Sequence, residues 1–464
     1  MIENFEHIGY WWLPENPHNP LYGSLKFIRN EKAILDVMGN FQGNINDPLL
    51  GIAQMFTGQF MQTDIIHGLT TEGKIITLYR CNLLTGNVTL PGIPRQTFKI
   101  DVIIEGYHFK NAEEIKFKQI SVHYSYLNEW VNISGFKRLV KDNGEEELTY
   151  KYDKPKNIPL TNNDDYEIYI NFDSTHLIPH FGKELNIKQQ SYITINALNK
   201  NLSFHESYDI IELIQDFLTF GVMEPVYPLK ISGIIEQGEN SDEQQVNIIL
   251  CFLKIPDPVS ISSTGDMLFS LNDIRDNISF SLTNWLDSGN KIKYIYGLFF
   301  SSFYGPIYPE NRFLNYIMAI EGYHRTMGKN EDIPKNEHKQ RIKEILDSVE
   351  KGCGDHRQWI AGRLGHSNEP GLKKRLNELF KDYQDVFGGE AIFKTFVKDS
   401  YEMRNTLVHP KGTEHSTVNM KKLYNTTEML KIAVAICLLN VLGFKIDDIK
   451  SMMPKMQRHM FKIP

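Results

Sequence analysis

The hydrophobic period of this chain changes once, near residues 254–266, and that change limits the folds open to it. Before this stretch, short apolar runs such as "GKIITLYRCNLLTG" and "FKIDVIIEGYHF" alternate with Gly, Asn, Asp and Pro, which is the pattern of antiparallel strands. After it, apolar residues recur at helical spacing in a series of segments such as "AIFKTFVKDSYEMRNTLVH". The stretch itself, "KIPDPVSISSTGD", collects Pro, Ser and Gly, as a connection between domains does.

These patterns predict an α+β protein of several domains, with a β-rich part first and an all-helical part second. A length of 464 residues fits two or three domains. We place the boundary between residues 1–262 and 263–464, with connecting helices over residues 263–304. Within the first part, "KDNGEEEL" at 141–148 predicts a hairpin tip, since Asn-Gly supplies the positive φ of a tight turn.

Two helices stand out in the pattern. The segment "SYDIIELIQDFLTFGV" interrupts the strands, and Ser207 is the expected N-cap of its helix. The last helical segment is apolar over "IAVAICLLNVLG", which is too short to cross a bilayer. We therefore predict a buried bundle or dimer helix there, and no membrane contact.

Composition and motifs indicate a globular cytoplasmic protein. Hydrophobic residues make up 41% and charged residues 23% of the chain, and its first residues lack the pattern of a secretory signal. The four cysteines form no CxxC pair, and neither HExxH, a calcium loop nor a P-loop occurs. We expect neither a metal nor a cofactor.

The net charge is divided by region. Of the total of −7, residues 1–304 carry −13 and residues 305–464 carry +6. A basic half can hold a polyanion such as nucleic acid, but solvated helix faces with interspersed acids give the same count. Trp11 and Trp12 allow the same two interpretations, as a stacking surface for bases or as core and edge packing.

The stretch "SYEMRNTLVHPKG", residues 400–412, carries the strongest chemical signal. Pro410 keeps the residue before it out of the α region, so the helix is expected to end at His409, among unpaired carbonyl groups. Asn405, four residues earlier, shares the face of His409. Arg404, five residues earlier, points about 140° away in a straight helix and reaches His409 through its long side chain or through distortion of the helix end.

This set of residues suits RNA cleavage. Attack by a ribose 2′-OH on the neighbouring phosphate needs a base, an acid and a fixed cation; histidine can serve the first two roles and arginine the third. DNA lacks the 2′-OH and would be left intact. The spacing alone is weak evidence, since an arginine on a solvated face followed by a histidine near helix-end carbonyls gives the same pattern.

A resemblance supports the catalytic interpretation. "RNTLVHP" resembles the Arg-Asn-x-x-x-His motif of HEPN ribonucleases, and "FLNYIMAIEGYHR" resembles the early helix of that domain. At the other end, "GYWWLP", "GSLKF" and "HGLTTEGKIITLYRC" resemble the N-terminal domain of ApeA-type anti-phage proteins. Proteins of that type couple a β-rich sensor to a C-terminal HEPN nuclease.

The resemblance implies specific roles and partners. His409 would be the acid-base residue, Arg404 the phosphate binder and Asn405 a polar helper, in a composite site formed by a HEPN homodimer. Glu321 would orient Arg404 or His409, although it can equally be a solvated partner of Arg325 one turn later. The substrate would be RNA, including tRNA, and a phage protein would act on the N-terminal domain.

We therefore expect a metal-independent endoribonuclease of an abortive-infection system, in which the N-terminal domain senses infection. Two alternatives remain at this stage. One is a HEPN module that binds RNA or a nucleotide without catalysis, and the other is an interaction protein whose helical half serves for dimerisation.

Overall fold

The computed structural model describes residues 3–41, 62–87, 92–140, 148–177, 186–237, 242–257, 264–409 and 419–460. The chain forms two compact units, the first from Met1–Val222 and Val226–Ser279 and the second from Met223–Pro225 and Phe280–Pro464. The fold class predicted from the sequence is confirmed, since the first unit is β-rich and the second is helical. The predicted boundary at residue 262 lies outside the described residues.

The strands of the first unit pair antiparallel with their neighbours. Their bounds are Phe5–Trp12 (β1), Leu21–Phe27 (β2), Ala33–Met38 (β3), Gln62–Thr70 (β4), Ile75–Asn87 (β5), Arg95–Glu105 (β6), Lys116–Phe117 (β7), Gln119–Tyr124 (β8), Phe136–Val140 (β9), Leu148–Tyr152 (β10), Ile158–Asn162 (β11), Tyr166–Leu177 (β12), Asn186–Ala197 (β13), Leu202–Ser203 (β14), Pro228–Gln237 (β15) and Asp242–Leu250 (β16). The hairpin tip predicted at 141–148 joins β9 to β10, and its residues 141–147 lie outside the described ranges.

The first strands close into a barrel. Pairing runs from β6 through β3, β2, β1, β4 and β5, and then returns to β6. Along β2 the residues alternate between buried and more exposed positions, with Leu21, Leu25 and Phe27 inside. The apolar residues of the period-two pattern thus form the barrel core, because successive side chains of a strand point to opposite faces of the sheet.

Strand β6 also joins the barrel to an outer sheet. Its first residues pair with β3 up to Ile100, and from Val102 to Glu105 the same edge pairs with β16. Between these two stretches, the carbonyl of Asp101 accepts the N–H of Cys251 at 2.8 Å. From β16 the sheet continues through β15, β8, β13, β12 and β11.

The two neighbouring tryptophans have different environments. Trp11 is 0% exposed and lies opposite Gly68 of β4, where any Cβ atom would overlap the Trp11 ring. Trp12 is half-buried and makes edge contacts with the rings of His67 and His108, which stack on each other at 4.4 Å. Trp11 therefore has no face for base stacking and serves the barrel core.

Among the residues described in the first unit, three α-helices lie wholly within it, namely Leu127–Val131 (α1), Phe204–Val222 (α2) and Leu271–Ile274 (α3). The predicted N-cap of α2 was wrong, because Ser207 lies inside the helix and is buried. Ser203 takes that place: its Oγ accepts the N–H of Glu206 at 3.2 Å, and its own N–H donates to the Glu206 carboxylate at 2.9 Å. This reciprocal capping pair begins the helix four residues earlier than predicted.

The described part of the second unit is helical. The helix bounds are Ile278–Tyr304 (α4, with two residues in the first unit), Pro309–Met327 (α5), Lys335–Cys353 (α6), Arg357–Leu364 (α7), Leu372–Phe380 (α8), Glu390–Val408 (α9), Met420–Val441 (α10) and Ile446–Met460 (α11). The sequence pattern predicted neither α7 nor α11 as a separate helix.

Helix α4 folds back on itself. Ile292 has φ −127° and ψ 19°, which breaks the helical backbone. The rings of Trp285 and Tyr296 consequently stack at 4.2 Å, whereas eleven residues of straight helix would separate them by about 16 Å. Both side chains are 0% exposed, so the fold-back builds part of the core of this unit.

Helix α10 is the central helix that the apolar run predicted. All residues from Ile432 to Leu439 are buried, and α10 packs along α5. Among the described residues, no helix is both long and apolar enough to span a bilayer.

Candidate active site

Helix α9 carries the Arg-Asn-x-x-x-His stretch and is held on one face. Phe393, Phe396, Val397, Ser400 and Met403 are buried at helical spacing. This face contacts α5, α8 and α10. The C-terminal turn of α9 is thereby fixed to three other helices, while its opposite face remains exposed.

The helix ends where the pre-proline position predicted. Val408 is the last helical residue, and His409 leaves the helix with φ −127° and ψ 69°. The backbone N–H of His409 still donates to the carbonyl of Asn405 at 2.9 Å, so the imidazole remains tied to the last turn. Pro410 itself lies outside the described residues.

Three polar side chains of the last turns of α9 have no partner among the described residues. Arg404 and Asn405 are half-buried, and His409 is exposed. In the part of the chain that the structure describes, none of the three side chains makes a hydrogen bond or an ion pair. The guanidinium, amide and imidazole groups are therefore available to a ligand.

The acids of the same helix are already neutralised. Lys422 of α10 lies 2.8 Å from the Asp399 carboxylate and 3.6 Å from that of Glu402. The hydrogen bond that Lys422 donates to the Asp399 carboxylate raises the pKa of Lys422. Because these carboxylates already have a lysine partner, they compete only weakly with an anionic ligand for a cation such as Arg404.

Glu321 lies on α5 and is half-buried. Within the described residues of one copy, its carboxylate forms no ion pair with Arg404 or His409. It forms none with Arg325 either, which pairs instead with Glu369 at 3.6 Å. Burial lowers the pKa of Arg375 on α8, and the charge of the Glu321 carboxylate acts against that shift.

A buried polar network between α5 and α8 was not predicted. Arg375 and His324 are each 3% exposed, and Arg375 Nη1 lies 2.9 Å from His324 Nδ1. A guanidinium can only donate, so Nδ1 accepts, and the hydrogen on the other ring nitrogen points to Glu378 Oε2 at 2.7 Å. One imidazole thus connects a buried cation to a half-exposed carboxylate.

The remaining donors of Arg375 hold the chain segments between these helices. Its Nε donates to the carbonyl of Pro370 at 2.8 Å, and its Nη2 donates to the Asn330 side chain at 2.7 Å. The signal for this network is present in the sequence, because Arg375 occupies a core position of α8 between Leu372 and Leu376. A charged residue at a core position demands partners.

A second cluster of buried charges lies where α10 packs on α5. Burial raises the pKa of Glu428 and lowers that of Lys431, whose Nζ lies 5.3 Å from the ring centre of Phe303. The Nε of Arg312 is buried without a hydrogen-bond acceptor. These groups lie in the helix packing rather than at the end of α9.

Metal binding has no visible basis among the described residues, which contain no group of three or more His, Cys, Asp or Glu side chains placed to hold an ion. The chemistry available at the α9 terminus is that of an arginine, an amide and an imidazole.

Comparison with known proteins gives two family matches. The model of the ApeA N-terminal domain 1 matches residues 6–285, which is more than half of the chain. The model of the Apea-like HEPN domain matches residues 314–448, a range that contains Glu321, Arg404, Asn405 and His409. Comparison with curated proteins and with solved structures gave no match.

The Arg375 network gives a stability prediction. Arg375→Met should lower the free energy of unfolding of the helical unit by about 3–5 kcal/mol, because it leaves His324, Asn330 and a buried carbonyl without their donor. Urea unfolding followed by helical circular dichroism measures this.

Arg341→Met is the matched control, since the exposed pair of Arg341 with Glu337 at 3.6 Å is worth at most about 0.5 kcal/mol. Equal stabilities of the two variants would show that the buried network does not hold α5 to α8.

Proposed function

We propose, since this chain belongs to the ApeA family and its second unit carries an Apea-like HEPN domain, that it cleaves RNA at the C-terminal end of α9. The chain is a HEPN-type anti-phage defence protein. The observation that supports catalysis is the set of three polar side chains, Arg404, Asn405 and His409, that are left without partners at one helix end.

The proposed reaction is transesterification within the RNA strand. A histidine takes the proton of the ribose 2′-OH, the 2′-oxygen bonds to the phosphorus, and the bond to the 5′-oxygen breaks after a second histidine protonates that oxygen. Arg404 holds the non-bridging phosphate oxygens, where negative charge grows in the transition state. The products are a 2′,3′-cyclic phosphate and a 5′-hydroxyl, and the step consumes no water.

Two proton transfers call for two imidazoles, so we propose a composite site formed by two copies of the chain. Exposed apolar side chains lie on the last two turns of α9 and at the start of α10: Tyr401 is 38%, Val408 43% and Met420 52% exposed. A two-fold interface over this patch would place two His409 residues near one scissile phosphate. Cytoplasmic location is part of this proposal, because the substrate is cellular RNA.

Substitution at the proposed site should abolish cleavage. His409→Ala and Arg404→Ala should each lower the rate of RNA cleavage by on the order of 10²-fold or more, because each removes a different part of the transition-state contact. Gel analysis of total RNA measures the rate, and Thr406→Ala, an exposed position on the same turn, is the matched control.

The same assay tests the reaction type. Cleavage should persist in EDTA and give cyclic-phosphate ends, whereas activity lost in EDTA and restored by magnesium would identify a different nuclease class. Full activity of a folded His409→Ala protein would show that His409 is not catalytic. The α9 terminus would then serve for binding or dimerisation.

The composite site gives a prediction about assembly. The protein should be a dimer by light scattering, and Val408→Asp should yield an inactive monomer with unchanged helicity, since Val408 is exposed within one copy and carries no core packing. Thr395→Asp, on the same helix at an exposed position away from the patch, should leave dimer and activity unchanged. A Val408→Asp monomer with full activity would contradict the two-copy site.

Control by the first unit is the final part of the proposal. The acidic N-terminal region would bind a phage protein and thereby shift the equilibrium from the resting to the active state. For each tenfold shift, the phage protein must bind the active state about 1.4 kcal/mol more tightly than the resting state. Cells that express residues 280–464, with folding verified by circular dichroism, should lose infection-dependent protection. Protection by this fragment that still depends on phage would place sensing in the helical unit.

A further inference from the structure

Helices α6 and α7 form a hairpin, here called the arm, that contributes nothing to the core of the second unit. Neither helix has a buried residue. The 3-10 turn Gly354–His356, which connects the two helices, has none either. The two helices contact each other, with half-buried Ile342, Leu346 and Val349 at helical spacing along α6. Thirty residues without a core are costly to order, and such an element calls for a role outside the fold.

The base of the arm is firmly fixed. The side chain of Asn368 accepts the N–H of Ile333 at 3.1 Å and donates to the carbonyl of the same residue at 3.0 Å, which clamps the two ends of the arm together. Asp332, at the same end, forms an ion pair with Lys374 at 2.6 Å. The Arg375 network described above lies directly behind this clamp, through Asn330 and Pro370.

The arm exposes an aromatic ring beside a cation. Trp359 is 64% exposed, whereas Trp11, Trp130 and Trp285 are each 0% exposed. The guanidinium carbon of Arg363, one helical turn later, lies 5.6 Å from the centre of the Trp359 ring. An exposed indole with a flanking guanidinium offers a π-face and a positive charge to the same ligand.

The charges of the arm favour an anionic partner. Four cations of the arm are exposed and form no ion pair with any described residue: Lys339, Lys343 and Lys351 of α6, and Arg363 of α7. Two carboxylates of the arm, those of Glu344 and Asp355, have no cationic partner among the described residues. The other carboxylates are taken up by Arg341 and Arg357, so the free cations outnumber the free acids.

We infer that the arm is a binding surface for single-stranded RNA, with Trp359 stacking on a base and Arg363 and the α6 lysines contacting phosphates. This inference rests on the proposed function and adds to it a second RNA contact, separate from the α9 terminus. A second copy of the chain fits the surface less well, because interface cores are depleted of charged residues and the apolar side chains of α6 are turned toward α7. Single-strand binding surfaces combine such a ring with such cations.

The test measures RNA affinity in the full-length His409→Ala protein, which separates binding from cleavage. Fluorescence anisotropy with a labelled single-stranded oligoribonucleotide should show about tenfold weaker binding after Trp359→Ala and near-normal binding after Trp359→Phe, which keeps an aromatic face. Arg363→Gln should reduce both the affinity and its dependence on salt. Tyr308→Ala, at a 78% exposed aromatic residue of the same unit, is the matched control and should change nothing.

Each outcome decides one proposal. Unchanged affinity of Trp359→Ala, absence of RNA binding, or an altered oligomeric state of this variant by light scattering would overturn the RNA-binding arm; the last would make the arm a contact between copies. Trp359-dependent binding by a protein that never cleaves RNA would uphold the arm and refute the nuclease. RNA cleavage with an unchanged KM in the Trp359→Ala variant would uphold the nuclease and refute RNA binding by the arm.

Discussion

The guanidinium of Arg375 is the contact on which the arrangement of the helical unit depends. A buried cation is tolerated when its donors are satisfied, and here they are spent on His324, Asn330 and the Pro370 carbonyl. These contacts join α5 to α8 and fix the base of the arm. Helix α8 in turn supports α9, through Lys373 Nζ at 4.4 Å from the ring centre of Tyr401. The position of the α9 terminus thus follows from a network that contains none of its residues.

Local patterns determined much of what could be predicted. Period-two runs predicted the strands, and the pre-proline rule predicted the end of α9 at His409, because both depend on neighbours in sequence. Closure of the barrel was beyond such rules, since β6 pairs with β3, β5 and β16 from distant parts of the chain. The fold-back of α4 at Ile292 was missed for the same reason, because the stacking of Trp285 on Tyr296 is a tertiary contact.

In the candidate site, too, features that depend on sequence neighbours were predictable and tertiary contacts were not. Arg404 and Asn405 are adjacent and His409 follows about one turn later on the same helix, so their shared end was predictable from spacing. The surroundings of Glu321 were not, because its electrostatic neighbour Arg375 lies on another helix. Residue type alone gave Glu321 two partners, Arg325 or the Arg/His pair.

The contrast between satisfied and unsatisfied polar groups has a consequence for the proposed mechanism. Arg375 is held by the fold, whereas Arg404 has no hydrogen-bond or ion-pair partner among the described residues of one copy, so a phosphate that binds Arg404 would displace no carboxylate of that part of the chain. Among the described residues of one copy, Glu321 forms no ion pair with Arg404, so the proposed site would take the orientation of Arg404 from the substrate or from the second copy. The composite site proposed above would then be incomplete in one copy, and a nuclease built in this way would have low activity until RNA and a partner subunit complete the site.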